Sequence, residues 1–342
     1  MANSAKRLSF FPDNIRTFLS ELMPGFMLCL VVAMAAAFVS EHYGGPVILY
    51  ALLMGMSLNY LSQEGRCMAG IQFTAKSILR VGIALLGARI TFEQLLGLGI
   101  TPIAIVVVGV PSTILFGVIC GRWLGLSRSQ SVLSGASVGI CGASAALAVS
   151  AVLPEDKDSE RNLIFTVIGV TALSTLAMIV YPLVVAELGL TDTESGIFLG
   201  ATIHDVAQVV GAGYMISDDV GDVATFTKLL RVASLVPVVI VITLLFARKG
   251  QSNAGRSGLP LPLFLIAFVV IVAINSTGVV PDSILEGLTQ LSRWCLIVAM
   301  VGLGMKASFK ELSCMGWTPV VLLVSETLFL AAGVAVWLFM AR

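Results

Sequence analysis

Charge is scarce in this chain of 342 residues. Asp, Glu, Lys and Arg together make up 12%, as 20 acidic and 20 basic side chains. Soluble domains carry about 25%. So few charges cannot cover a soluble globule of this size, which excludes an ordinary cytosolic enzyme. The formal net charge is zero, so no positive field attracts nucleic acid. Histidine occurs twice. The six cysteines, Cys29, Cys67, Cys120, Cys141, Cys295 and Cys314, are scattered with no CxxC. That leaves neither a disulfide framework nor a zinc site. There is no Walker motif, GxSxG or HExxH. The expectation is a protein that is not an enzyme, with no cofactor and no bound metal.

Apolar residues fill the gap. They make up 57% of the chain, and the mean hydropathy is +0.99. The class is an all-α, polytopic membrane protein. A membrane helix needs about 20 mostly apolar residues. Eleven such runs are read at 24–40, 46–62, 68–88, 98–118, 127–153, 162–185, 195–217, 222–248, 259–276, 283–305 and 316–340. Lys76 and Arg80 interrupt the third run, and Lys228 and Arg231 the eighth. The Ala-Met-Ala-Ala-Ala stretch near 33–37 looks cleavable, but the segment before it is too long for a signal peptide. Residues 1–23, with Phe10, Phe11, Ile15, Phe18, Leu19 and Leu22, read as an interfacial amphipathic segment. Basic residues concentrate in short inner loops. With the N-terminus cytoplasmic, the inner segments hold Lys6, Arg7, Arg16, Arg66, Arg122, Arg128, Arg248, Lys249, Arg256, Lys306 and Lys310. The outer ones hold Arg89, Lys157, Arg161, Lys228 and Arg342. A count of ten spans would reverse some of these loops.

The chain matches itself at an offset of 217. Leu86, Gly87, Phe92, Leu95, Gly99, Thr101 and Pro102 recur as Leu303, Gly304, Phe309, Leu312, Gly316, Thr318 and Pro319. The match extends over about 76–118 and 293–335, placing spans three and four over ten and eleven. Spans an odd number apart have opposite topology, and inverted repeats are common in secondary transporters. A weaker match pairs 125–131 with 189–195, then Gly135-Ala136-Ser137 with Gly200-Ala201-Thr202.

Two runs read as interrupted helices, near 134–144 and 200–211. The first holds three glycines and three serines between Ser134 and Ser144. Such breaks survive at membrane depth only where they are buried or line a cavity. A half-helix starting near Gly142 would aim its positive end and the N–H groups of Gly142, Ala143 and Ser144 at a ligand, with Ser134 and Ser137 beside it. Close packing of helices through small residues is the alternative. The second run holds Thr202, His204, Asp205 and Gln208. Ionisable groups inside a span are costly and read as functional. The alternatives are a satisfied structural pair, or a loop at the interface rather than a span. Lys76, Arg80, Arg231 and Arg293 also sit in or near spans. Such residues more often snorkel or pair with an acid. Ser137, His204 and Asp205 are hydrolase residue types, but adjacent His and Asp on a helix point too far apart for a triad.

Pro24-Gly25, Gly139-Ile-Cys-Gly-Ala-Ser144 and Ile203-His-Asp-Val-Ala-Gln-Val209 together resemble the YeiH-type family of bacterial multi-pass inner-membrane proteins, labelled sulfate exporters. The resemblance covers most of the chain. Members often carry Glu at the position of Asp205. It implies localisation in the bacterial inner membrane and, by fold-level analogy, kinship with transporters built on crossed broken helices. The expected function is secondary transport of a small anion by alternating access. Ser134, Ser137, Gly142, Ala143, Ser144, Thr202 and Gln208 would bind substrate, and His204 and Asp205 would take the coupling ion, H⁺ or Na⁺. A passive channel would show flux without coupling to a gradient, and a sensor or assembly protein no flux. The expected partners are the anion, the coupling ion and the lipid bilayer; a homo-oligomer is compatible with the reading.

Overall fold

The computed structural model describes residues 15–154, 158–246, 263–307 and 317–342. Most of the expected N-terminal interfacial segment lies outside these residues, as do Phe309, Leu312 and Gly316 of the repeat. Among the described residues there are helices and no strands. They are α1 Ile15–Tyr43, α2 Val47–Ser57, α3 Met68–Phe73, α4 Leu79–Leu85, α5 Phe92–Gly97, α6 Thr101–Trp123, α7 Arg128–Gly139 and α8 Ala143–Ser150. Then follow α9 Ser159–Glu187, α10 Asp192–Thr202, α11 Val206–Ile216, α12 Asp218–Ala233, α13 Leu235–Phe246, α14 Leu263–Ser276, α15 Asp282–Lys306 and α16 Trp317–Ala341. Seven helical stretches are long and apolar enough to cross a membrane: 21–43, 68–88, 101–123, 159–187, 218–246, 282–306 and 317–341. Large apolar residues such as Val107 and Leu115 on α6 and Leu244 and Leu245 on α13 point outward, as lipid-facing surfaces require.

One unit comprises the chain up to Gly82 together with Arg293–Lys306. It packs through glycine. A Cβ on Gly25 would lie 2.1 Å from Cys67 O, and one on Gly304 2.3 Å from Leu52 O. Met68–Phe73 continues through a π-helical turn at Thr74–Ile78 into α4. Gly82 lies against Leu296, and Gly302 against Ala75. The start of the self-matched stretches, from about residue 76 through α4 and from 293 through the second half of α15, therefore runs antiparallel here.

The second unit comprises Ile83–Ser292 and Ala307–Arg342. In it a close contact recurs. Gly87 meets Phe268 O on α14, as its repeat mate Gly304 meets Leu52 O on α2. Asn275, ending α14, donates to Ile90 O at 3.1 Å. Asn59, just past α2, donates to Met305 O at 2.6 Å.

The runs 127–153 and 195–217 are indeed interrupted, but they do not go straight through. A Cβ on Gly196 would meet Val220 O, and one on Gly200 would meet Ala224 O. Ile203 O accepts from Lys228 and Arg231. Thus α10 runs alongside α12 in the same direction. The return is made by α11: Gly213 lies against Gly221 and Ala224, and Tyr214 donates to Asp222. Asp192 and Thr193 consequently line one cavity with Asp219 and Asp222. The other break folds the same way from the opposite end. Arg128, opening α7, sits 5.2 Å over the Phe246 ring at the end of α13. Ile140 O, at its tip, accepts from Lys228, and α8 then packs back on α13 and the start of α9.

Both runs are therefore helix–break–helix hairpins, entering from opposite ends of α12–α13, and not crossing helices. The span count falls accordingly. The physical reason is burial. Gln130–Gly139, Ser195–Thr202 and Val206–Gly213 are buried on every face, so protein rather than lipid surrounds the reversal. Arg161, expected on the side opposite Arg122 and Arg128, lies at their end, because α9 starts there and rises past the tip at Ser174. Lys228, expected in an outer segment, lies fully buried at the tips.

This arrangement predicts a labelling pattern for a membrane-impermeant maleimide in a cysteine-free background. Ser127, Pro154, Thr193 and Asp219 are all exposed. Ser127→Cys and Pro154→Cys should react from one membrane face, Thr193→Cys and Asp219→Cys from the other. Reaction of Ser127→Cys and Pro154→Cys from opposite faces would mean that α7–α8 crosses.

Candidate functional site

Each hairpin starts at a capped helix. The Ser127 hydroxyl accepts from Gln130 N–H at 3.2 Å. Thr191 and Glu194 form a capping box, and Arg342 clasps Glu194 from the C-terminus. The weaker self-match at 125–131 and 189–195 falls on these two helix starts.

The tips break for different reasons. In the first, Gly142 adopts φ +61° and ψ −125°, a conformation that side chains with a Cβ rarely adopt. The second, Ile203-His204-Asp205, has neither glycine nor proline. Ile203 and Asp205 are extended, and the Asp205 N–H donates to Ser174 Oγ at 3.0 Å. The tips touch. A Cβ on Gly142 would sit 3.6 Å from His204 Cβ.

Six hydrogen bonds from α12 hold this contact. Lys228 Nζ donates to Ile140 O at 2.8 Å and to Ile203 O at 2.9 Å. Arg231 donates to Val138 O at 2.6 Å, Gly139 O at 2.9 Å, Ile203 O at 3.0 Å and Gly200 O at 3.2 Å. The two side chains are 0% and 1% exposed. They occupy the C-terminal ends of α7 and α10, where carbonyls lack helical partners and the dipole is negative. The expectation that Arg231 snorkels or pairs with an acid is overturned. Among the described residues neither cation forms a salt bridge. Lys228 lies too deep in α12 to snorkel, and stacked carbonyls replace its water. Asp205, half-buried at the N-terminus of α11, acts on Lys228 electrostatically.

His204 is fully buried. Its Nε2 lies 2.9 Å from Thr327 Oγ1 on α16. Thr327 spends its own proton on Leu323 O at 2.7 Å, so Nε2 is the donor, assigned from the network. Nδ1, on the side of Val138 O, makes no bond of adequate geometry. Gln208 Nε2 reaches Thr175 Oγ1 at 3.5 Å, while its Oε1 is buried without a hydrogen-bond partner.

Of the residues expected from sequence to bind substrate, Gly142, Ala143, Ser144, Thr202 and Gln208 lie in or flank the two breaks, as do His204 and Asp205, expected to take the coupling ion. The Gly142 N–H is committed to Ser137 O at 2.8 Å, leaving Ala143 and Ser144 as first-turn donors of α8. Ser137 and Thr202 spend their hydroxyl protons on Leu133 O at 2.5 Å and Phe198 O at 2.7 Å. Ser134 faces away from the tips, donating at 2.5 Å to Glu326 Oε2 on α16. Sequence reasoning passed over Glu326, though a lone acid inside the run 316–340 was the available signal. Among the described residues no cluster of His, Cys, Asp and Glu could hold a metal.

The fold and site define a class: a multi-pass helical membrane protein with two opposed, interrupted hairpins meeting at a buried polar contact. Residues 24–323 match the family model described as "Conserved hypothetical protein 698". The chain is 53% identical to the UPF0324 membrane protein CT0845 of Chlorobaculum tepidum over 92% of this chain and 89% of that protein. It is 48% identical to the UPF0324 membrane protein RB0971 of Rhizobium meliloti over 93% of each. The UPF0324 membrane protein TauZ of Paracoccus denitrificans is 46% identical over 94% of this chain and 96% of its own. The chain belongs to this UPF0324 membrane protein family, in agreement with its resemblance to YeiH-type proteins.

Loss of the cations should be costly in proportion to the carbonyls they cover. Arg231→Met should destabilise the purified protein by several kcal/mol, because each buried carbonyl left without a donor costs about 1–3 kcal/mol. Lys228→Met should cost less, since two bonds are lost rather than four. Thermal melting in detergent checks the order; equal, small losses would contradict the capping role.

Proposed function

We propose that this protein is a secondary transporter of a small anion, with the two hairpins as its gates. The observation that carries the reading is the meeting of two opposed hairpin tips beneath Lys228 and Arg231. Each tip is reached from its own end of the molecule, so opening one hairpin at a time gives alternating access to a single midplane site. Two buried cations without a carboxylate in salt-bridge contact favour negative charge at that site. The first turn of α8 offers the N–H groups of Ala143 and Ser144 and a positive dipole end. At α11 that end is already answered by Asp205. Gln208 would orient the substrate, and His204 with Asp205 would take the coupling ion, H⁺ or Na⁺.

The antiparallel run of the matched stretches supports an inverted repeat. Among the described residues the seven long helices, with α2 and α14 read as shorter crossings, make nine spans plus two hairpins. This odd number keeps the N-terminus cytoplasmic and Arg342 outside. It also gathers Arg122, Arg128 and Arg161 at one end, which we assign to the cytoplasm of a bacterial inner membrane.

Reconstitution into proteoliposomes with a panel of small inorganic and organic anions, sulfate first, tests the reading. A ligand at 100 times its Kd should add about 2.7 kcal/mol of thermal stability. Gly142→Leu should abolish flux of that anion while the protein remains folded and inserted; flux equal to that of the unmodified protein would sink the site. Flux that ignores imposed H⁺ and Na⁺ gradients would indicate a channel, and absence of flux for every anion a sensor or assembly role.

The coupling pair has its own test. Asp205→Asn should abolish gradient-driven uptake while counterflow exchange continues. Unchanged pH and Na⁺ dependence in both Asp205→Asn and His204→Gln would show the pair to be structural.

A further inference from the structure

Glu326 sits in the middle of α16 and is 0% exposed. Its carboxyl is wedged between α6 and α7: a Cβ on Gly117 would overlap Oε1 at 2.2 Å and lie 3.2 Å from Gly135 Cα. Oε2 accepts from the Ser134 hydroxyl, and Oε1 is buried with no hydrogen-bond partner. No Lys, Arg or His forms a salt bridge with it among the described residues.

The helices packed on α16 are α6, α7, α9 and α10. On α6 the nearby titratable group is the Cys120 thiol, on which the Glu326 charge acts. Arg122, Arg128, Glu160, Arg161, Glu187 and Asp192 are exposed at helix ends. Tyr181 packs on Phe198, and Glu194 is bonded to Arg342. Past the next residue, Thr327, lies His204. A bare carboxylate with one hydroxyl donor is expensive in such a place, and the neutral acid is the affordable form. The notch is filled by the carboxyl itself. A proton needs no further volume, whereas a metal cation needs its own shell of oxygens.

We propose that Glu326 is a reversible proton-binding site, distinct from the tip pair, whose occupancy is passed to both hairpins. The chemistry is one proton transfer: hydronium gives a proton to Oε1 and leaves as water, and the reverse step restores the carboxylate. The route of transmission is short: two hydrogen bonds joined by one peptide link. Glu326 bonds Ser134 on the first hairpin, and Thr327 bonds His204 on the second. Deprotonation strengthens the grip on Ser134 and shifts the helix that orients His204. As the proton step of a transport cycle this rests on the transporter reading; as a proton site it does not.

Two measurements on the full-length protein test it. In infrared difference spectra against pH, the unmodified protein should show a carboxylic-acid carbonyl band that titrates. The band should be lost in Glu326→Gln and kept in Asp205→Asn. Ser134→Ala, which removes the hydroxyl donor, should keep the band but move the pH at which it disappears. The maleimide reactivity of Ala143→Cys at the first tip should change severalfold over the same pH interval, and become flat when combined with Glu326→Gln. A band that survives Glu326→Gln, no titrating band at all, or tip reactivity indifferent to Glu326→Gln overturns the proposal. Dependence of the tip reactivity on Na⁺ rather than pH would also overturn it. Absence of flux for every anion of the panel, with the band and the reactivity change intact, would count against the transporter reading alone.

Discussion

Everything at the centre of this molecule depends on covering carbonyl groups that helix breaks leave bare. A hairpin reversed inside protein exposes the last carbonyls of its first helix, and no water is at hand to bond them. Two hairpins meeting tip to tip double the problem. Lys228 and Arg231 solve it for both at once, because i and i+3 on α12 share a face and that face looks at both tips. The converse also holds. Two cations this deeply buried would be untenable without the carbonyls. Neither the breaks nor the cations could persist alone, and removing both side-chain charges would leave the reversal without support.

Glycine sets how closely these pieces approach. Gly196, Gly200 and Gly213 bring α10 and α11 onto α12 at distances that a Cβ would forbid. Gly117 and Gly135 do the same where α6 crosses α7 and make the notch that Glu326 fills. Van der Waals contact and interhelical hydrogen bonds, rather than the hydrophobic effect, hold helices together in lipid. The close approach is what allows Lys228 and Arg231 on α12 to reach the backbone that ends α7 and α10, and Glu326 and Thr327 on α16 to reach side chains of both hairpins.

Hydropathy made the long helices legible, because lipid demands the same apolar length everywhere. It also located both interruptions, through glycine density in one and His204–Asp205 in the other. It could not show that the chain turns back, since a run of 23 residues such as 195–217 has span length whether it crosses or folds on itself. A subtler sign was present. Ser127 to Gly139 and Thr191 to Thr202 are rich in small and hydroxylated residues, as helices surrounded by protein can be and lipid-facing helices cannot. Lys228 and Arg231 were visible too, but the usual habits of long cations suggested the interface or an acid. Their true partners are backbone oxygens, which no residue-type pattern reveals. Glu326 was hidden by the apolar quality of its neighbours.

The distribution of those six bonds bears on how such a centre could move. Val138, Gly139 and Ile140 of the first tip receive one each, from Arg231 twice and Lys228 once. The second tip receives Arg231 at Gly200, and Arg231 and Lys228 at Ile203. That is three bonds to each. If the hairpins are gates, opening either one forfeits the same number of contacts from the same two side chains. States that open to opposite sides are then close in free energy, as alternation between them requires, and modest differential interactions suffice to select one. Asymmetry has to come from elsewhere. Among the contacts made to one hairpin and not the other are Arg342 on Glu194, Ser174 on Asp205, Thr327 on His204 and Glu326 on Ser134, and the last two come side by side from α16. If the hairpins are gates, α16 together with α9 would set the bias between the two open states, while α12 would supply the balance point.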